Sequence, residues 1–191
     1  MTQEKAQIAV EEVFSLYEKF GSEDYIGEPV SQIEHMCQAA QLAEDEGYDD
    51  ETILGAFFHD IGHLCEHIMH TEQMDGYGVV DHEKLGREFL ESKGFSSKVS
   101  TLVECHVLAK RFLTFKYPEY YNKLSEASRQ TLVMQGGVMS AEEAAVFEAD
   151  EFHPLYIKLR EWDDKAKEIN CPLPSLEKYK QIALNHLLSQ Q

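Results

Sequence analysis

The run Ile53–Leu64, ILGAFFHDIGHL, is apolar on almost every side yet carries His59, Asp60 and His63 within it. Ile53, Leu54, Phe57, Phe58 and Ile61 leave a helix no polar face, so the segment belongs in an interior and its His–Asp pair points inward with it. A buried carboxylate needs a partner, and a metal cation is the strongest one available. Adjacent helical residues diverge by about 100°. His59 and Asp60 are therefore expected to hold one ion between them, or Asp60 to reach towards a second. A single such pair is more often a hydrogen-bonded core histidine beside a surface aspartate. Inward ligands on other segments are needed to reverse that preference.

Helical periodicity and capping signals supply those segments. Apolar positions from Gln3 to Phe20 follow the helical period, with Gly21 at the C-terminal end. Ser31-Gln32-Ile33-Glu34 is a capping box that starts a helix running to about Glu46 and puts His35 in its first turns. Between them, Ser22–Val30 carries Gly, Pro and several acids and reads as a loop able to act as a lid. The next helix is expected from Asp49 or Asp50 through Leu64, and another from His82 to about Lys93. From Ser96 or Ser97, Val99, Leu102, Val103 and His106 share one stripe, and Lys110 follows one turn later. A short helix is expected around SEASRQTLVM and a second capping box at Ser140. From Pro154 to Glu168, Leu155, Leu159, Trp162, Asp163 and Ala166 fall on one face, with Asp164 pointing away. A closing helix starts at Ser175. No strand or repeat stands out, so we expect an all-α, single-domain bundle over residues 1–191.

Charge narrows the partners. The chain has 17 basic and 35 acidic residues, a net charge of -18, which argues against nucleic acid and anionic membrane alike. An anionic small molecule would need a local positive site of metal, Lys or Arg. The acidic N-terminal residues resemble neither a signal nor a transit peptide, and no apolar run is long enough to span a bilayer. Cys37, Cys65, Cys105 and Cys171 are scattered and read as reduced thiols. A cytoplasmic protein, monomeric or weakly homo-oligomeric, is expected.

Inward His and Asp residues thus recur in the order His35, His59-Asp60, His82, His106 and Asp163. Six nitrogen and oxygen ligands without cysteine suit iron, manganese or zinc, and are too many for one ion that keeps open positions. Two ions bridged by Asp60 account for them. His67, His70, His153 and His186 lack the pattern and read as structural; a ridge of His63, His67 and His70 is the alternative cluster.

The order H, HD, H, H, D resembles the HD-domain superfamily. The strings DYIGEPVSQIEH, HDIGH, YGVVDHEKLG, ECHVLAKR, GGVM and LREWDDKAK are similar, more narrowly, to the mixed-valent diiron oxygenases that cleave the carbon–phosphorus bond of organophosphonates. The resemblance implies one iron on His35, His59, Asp60 and Asp163 and a second on Asp60, His82 and His106, as an Fe(II)/Fe(III) pair with O2 as co-substrate. It implies a 1-hydroxyphosphonate substrate with an amino or trimethylammonio group on the next carbon. Asp60, His63 and Lys110 are the expected catalytic residues. Lys110 and Arg160 would meet the phosphonate, with His63, Gln32 and Ser128 as hydrogen-bond donors, while Tyr25 and Glu28 would receive the cation. The competing expectation is an HD-type metal-dependent phosphohydrolase of a nucleotide or other phosphoester, using the same ligands.

Overall fold

A computed structural model describes residues 1–25 and 27–190. The helices are α1 (Gln3–Phe20), α2 (Gln32–Asp45), α3 (Asp50–Phe58), α4 (Ile61–Leu64), α5 (His82–Ser92), α6 (Ser97–Lys116), α7 (Pro118–Tyr121), α8 (Glu126–Met134), α9 (Ala141–Ala149), α10 (His153–Lys165) and α11 (Leu176–Ser189), with a 3-10 turn at Cys65–His67. Among the described residues there is no strand, only isolated bridges pairing Asp24 with Ser31 and Gln73 with Val79. No described helix is long and apolar enough to cross a membrane.

Local chemistry sets the helix starts. Ser31 and Ser140 form full capping boxes with Glu34 and Glu143. The side chains of Asp49 and Ser96 accept the free N–H groups at the heads of α3 and α6. Helix α6 runs through the middle of the bundle against α3, α5 and α10, while α2 packs on α3 and α10. Helices α1 and α11 pair and cover one side, α11 lying on α3. Phe14, Tyr17, Phe57, Phe58, Trp162 and Tyr179 fill the space between them, all buried. One wall of polar ligands is therefore backed by a continuous aromatic core.

Two helices differ from expectation where they meet the site. The helix expected to run unbroken to Leu64 stops at Phe58, and Asp60 takes φ -107° and ψ 13° before α4 resumes at Ile61. The break re-aims the chain so that α4 lies on the head of α5, where Gly62 packs directly on the His82 carbonyl. Helix α10 ends at Lys165 rather than Glu168. Helix α2 causes this: His35 Nδ1 takes the Ala166 carbonyl at 2.8 Å, and the Gln38 amide bonds both backbone groups of Glu168 at 3.0 Å. Those bonds replace the ones that would have continued the helix. In the expected lid segment, Ile26 lies outside the described residues.

A Cβ added at Gly62 would lie 1.8 Å from the His82 carbonyl oxygen. We expect Gly62→Ala to destabilise the fold by about 2–3 kcal/mol, measured as a lowered urea midpoint; an unchanged midpoint would contradict this close packing.

Candidate metal centre

The inward residues meet. His35 from α2, His59 after α3, Asp60 before α4, His82 at the first position of α5, His106 from α6 and Asp163 from α10 are each at most 3% exposed. Their ligand atoms form two trios, His35–His59–Asp163 and Asp60–His82–His106, with the atoms of each within 4.8 Å of one another. Asp60 lies between the trios. Its Oδ1 is 3.2 Å from Nε2 of both His82 and His106, and its Oδ2 is 3.4 Å from His59 Nε2 and 3.7 Å from His35 Nε2.

Hydrogen bonds on the far side of the rings fix what the near side can do. Nδ1 of His35, His59 and His106 faces the carbonyls of Ala166, Ala56 and Val103 at 2.8, 2.8 and 2.6 Å. A carbonyl only accepts, so each Nδ1 carries the hydrogen and each Nε2 turns a lone pair to the centre. Yet His35 Nε2 lies 3.0 Å from His59 Nε2, and His82 Nε2 lies 3.1 Å from His106 Nε2. Lone pairs so placed repel unless a proton or a metal cation sits between them. Asp163 Oδ1 is buried beside the first pair without a hydrogen bond. The donor set therefore fits a metal ion at each trio.

Without metal, protons fill part of this role. Burial opposes charge on His59, but the carboxylates of Asp60 and Asp163 outweigh it and raise the imidazole to about 9. Burial likewise opposes ionisation of Asp60, and the surrounding histidines overcome it, holding the carboxyl well below its usual range. Metal binding at the first trio must displace the His59 proton.

One cavity opens onto the centre, and the remaining expected site residues line it. Lys110 is 3% exposed and donates to Thr131 Oγ1 at 2.9 Å. Burial, helped by repulsion from Arg160, brings its ammonium down to about 7. Arg160 donates from Nη1 to Asp163 Oδ2 at 2.7 Å and from Nε to the Tyr120 hydroxyl at 3.0 Å, and pairs with Asp164. Ser128 Oγ is 3.5 Å from its Nη2. Asp164 was expected to point away; the buried guanidinium draws it in, because the single Asp163 carboxylate does not satisfy all its donors.

His63 stacks on His82, ring centroids 4.0 Å apart, and its Nδ1 accepts the Val79 N–H at 3.1 Å. Burial and the neighbouring His82 push its pKa well below the usual value, so the ring is neutral with its hydrogen on Nε2. Gly78 allows this: with φ 96°, it brings backbone so close that a Cβ would lie 2.5 Å from His63 Cε1. Gln32 reaches the cavity with a buried Oε1 that makes no hydrogen bond. Tyr25 stacks on His35 at 4.0 Å and donates its hydroxyl to Asp60 Oδ2 at 2.9 Å. One face of its ring is thus already taken. Glu28 lines the cavity but holds Lys167 at 2.8 Å, so this acid is already paired.

The other histidines stay apart. His186 accepts the Ser96 N–H and stacks on Phe95, His67 stacks on Phe20 beside Glu23, and His153 Nδ1 bonds the Asp150 carbonyl. Among the described residues no group suited to a metal joins His63, His67 and His70. Tyr120, Thr131, Asp164 and Lys167 were not foreseen, and only the doubled aspartate at 163–164 hinted at one of them.

The HD-domain family model matches residues 33–155. The chain is 41% identical over 170 residues to the [1-hydroxy-2-(trimethylamino)ethyl]phosphonate dioxygenase (glycine-betaine-forming) of Leisingera caerulea, covering 86% of this chain and 83% of that protein. It is 37% identical over 174 residues to the hydroxymethylphosphonate dioxygenase of Gimesia maris, covering 89% and 84%. An uncharacterized mimivirus protein, L432 of Acanthamoeba polyphaga mimivirus, is 44% identical over 178 residues, covering 93% and 81%. The chain belongs to the HD-domain family, in the branch that holds these phosphonate dioxygenases.

If Asp60 serves both trios, its loss is worse than the loss of a one-sided ligand. Reloaded with iron(II), His106→Ala should retain about one ion per chain, and Asp60→Ala well below one. Metal analysis of the purified variants checks this, and equal loss in both would contradict the shared role.

Proposed function

We propose that the protein is an iron-dependent dioxygenase that cleaves the carbon–phosphorus bond of a 1-hydroxy-2-(amino or trimethylammonio)ethylphosphonate, releasing phosphate and glycine or glycine betaine. One O2 consumed per bond balances the reaction. The observation that carries it is the Asp60 carboxylate set between two buried ligand trios, with the cations of Lys110 and Arg160 in the same cavity. The names of the Leisingera and Gimesia relatives support the same chemistry.

Two irons held by His35, His59, Asp60 and Asp163 and by Asp60, His82 and His106 would supply dioxygen activation. The chain's own residues bind and orient the substrate. Lys110 and Arg160 receive the phosphonate, which solves the problem posed by a net charge of -18. Arg160 is held by Asp163, Asp164 and Tyr120, so its guanidinium is oriented before substrate arrives. Neutral His63 donates from Nε2, and Ser128 and Gln32 complete the polar wall. The substrate's cation shares the Glu28 carboxylate with Lys167, beside Tyr25. Phe57, Phe58 and Ile61 behind the ligands keep water from the centre.

Iron-loaded protein given a 1-hydroxy-2-aminoethylphosphonate or its trimethylammonio counterpart should release phosphate only when O2 is present. Equal release without oxygen, or with zinc in place of iron, would overturn the dioxygenase reading; a phosphohydrolase would leave these phosphonates intact and release phosphate from a phosphoester without oxygen. The Lys110 charge is present below about pH 7 and lost above it. Irons on Asp60 and Asp163 would offset the carboxylates that sustain this charge, so the kcat/KM of the iron-loaded wild type should carry a descending limb no higher than about pH 7. Lys110→Met should lower kcat/KM about 100-fold, equivalent to a charged hydrogen bond of about 2–3 kcal/mol, and abolish that limb; a limb retained in the variant would exclude Lys110 as its origin.

A further inference from the structure

Three of the four centre histidines are backed by main-chain carbonyls, and His82 is not. Its Nδ1 is buried and makes no hydrogen bond. Glu83 Oε2, 3.6 Å away, is buried and also makes none. Glu83 is 8% exposed. A carboxylate in the first turn of a helix ordinarily faces solvent or accepts from the free N–H groups there. This one is turned inward instead, towards the one histidine whose outer nitrogen lacks an acceptor. The other sides of that ring are taken: His63 stacks on its face and Asp60 stands at Nε2.

We propose that Glu83 is a positioning residue for the ion at His82 and His106. A donor nitrogen and an acceptor oxygen, both buried and both unpaired, stand slightly farther apart than a hydrogen bond. A cation on Nε2 makes the opposite N–H a stronger donor, and the carboxylate closes on it. The bond fixes the ring and makes His82 more electron-rich than the three carbonyl-backed histidines. The two metal positions then differ for a reason built into the protein: His35 and His59 are both backed by neutral carbonyls, whereas the second position has one carboxylate-backed ligand. This rests on the two-ion centre and not on which phosphonate is turned over.

The test is anaerobic calorimetric titration of chelator-stripped protein with iron(II), with Mössbauer spectra of the loaded forms. The wild type should show two sites. Glu83→Ala should weaken one by about 10- to 100-fold and leave the other unchanged, with the spectrum of one iron altered. Glu83→Gln keeps an acceptor oxygen and should recover part of the loss; should the alanine variant fail to fold, a one-site weakening in Glu83→Gln decides alone. Unchanged affinity at both sites, or equal weakening at both, overturns the proposal and leaves the two-ion centre standing. Fewer than two sites in the wild type overturns both.

Discussion

The centre depends on one carboxylate being surrounded by nitrogen lone pairs that backbone hydrogen bonds will not let turn away. Asp60 offers one oxygen to His82 and His106 and the other towards His35 and His59. The carbonyls of Ala166, Ala56 and Val103 hold three of those rings by their outer nitrogens. Rotating a ring to relieve repulsion at the centre would break a buried hydrogen bond. The fold therefore stores a demand for positive charge at two neighbouring points, which the proton drawn to His59 meets only in part and which suits a metal ion at each trio.

Electrostatics extends that demand outward. The chain is strongly acidic as a whole, yet the cavity over the centre contains two nearly fully buried cations. Lys110 pays for its burial with a depressed pKa, while Arg160 keeps its charge by gathering Asp163 and Asp164. Asp163 thereby links the two layers: Oδ2 steadies Arg160, and Oδ1 remains unpaired beside His35 and His59. An anion reaching the centre meets fixed positive charge only in the last few ångströms, so an acidic surface and an anionic substrate are compatible.

Much of this was legible in the sequence because helices announce themselves locally. Capping boxes at Ser31 and Ser140 and the apolar stripes around His106 and Asp163 placed the helices and turned the right residues inward. What escaped depends on distant partners. The helix break at Asp60 answers to the backbone of His82, and the early end of α10 to His35 and Gln38. The pairing of Glu28 with Lys167 joins residues 139 apart, and Tyr120 reaches Arg160 across 40. Periodicity has no means of seeing such contacts, and the Tyr25 hydroxyl on Asp60 belongs with them.

Anomalous diffraction at the iron edge from crystals of the iron-loaded protein tests the shared carboxylate most directly. Two peaks about 3.5–4 Å apart, one on each side of Asp60 and each contacted by one of its oxygens, is the predicted result. A single peak, or two with Asp60 touching only one, would contradict the bridging role from which the rest follows.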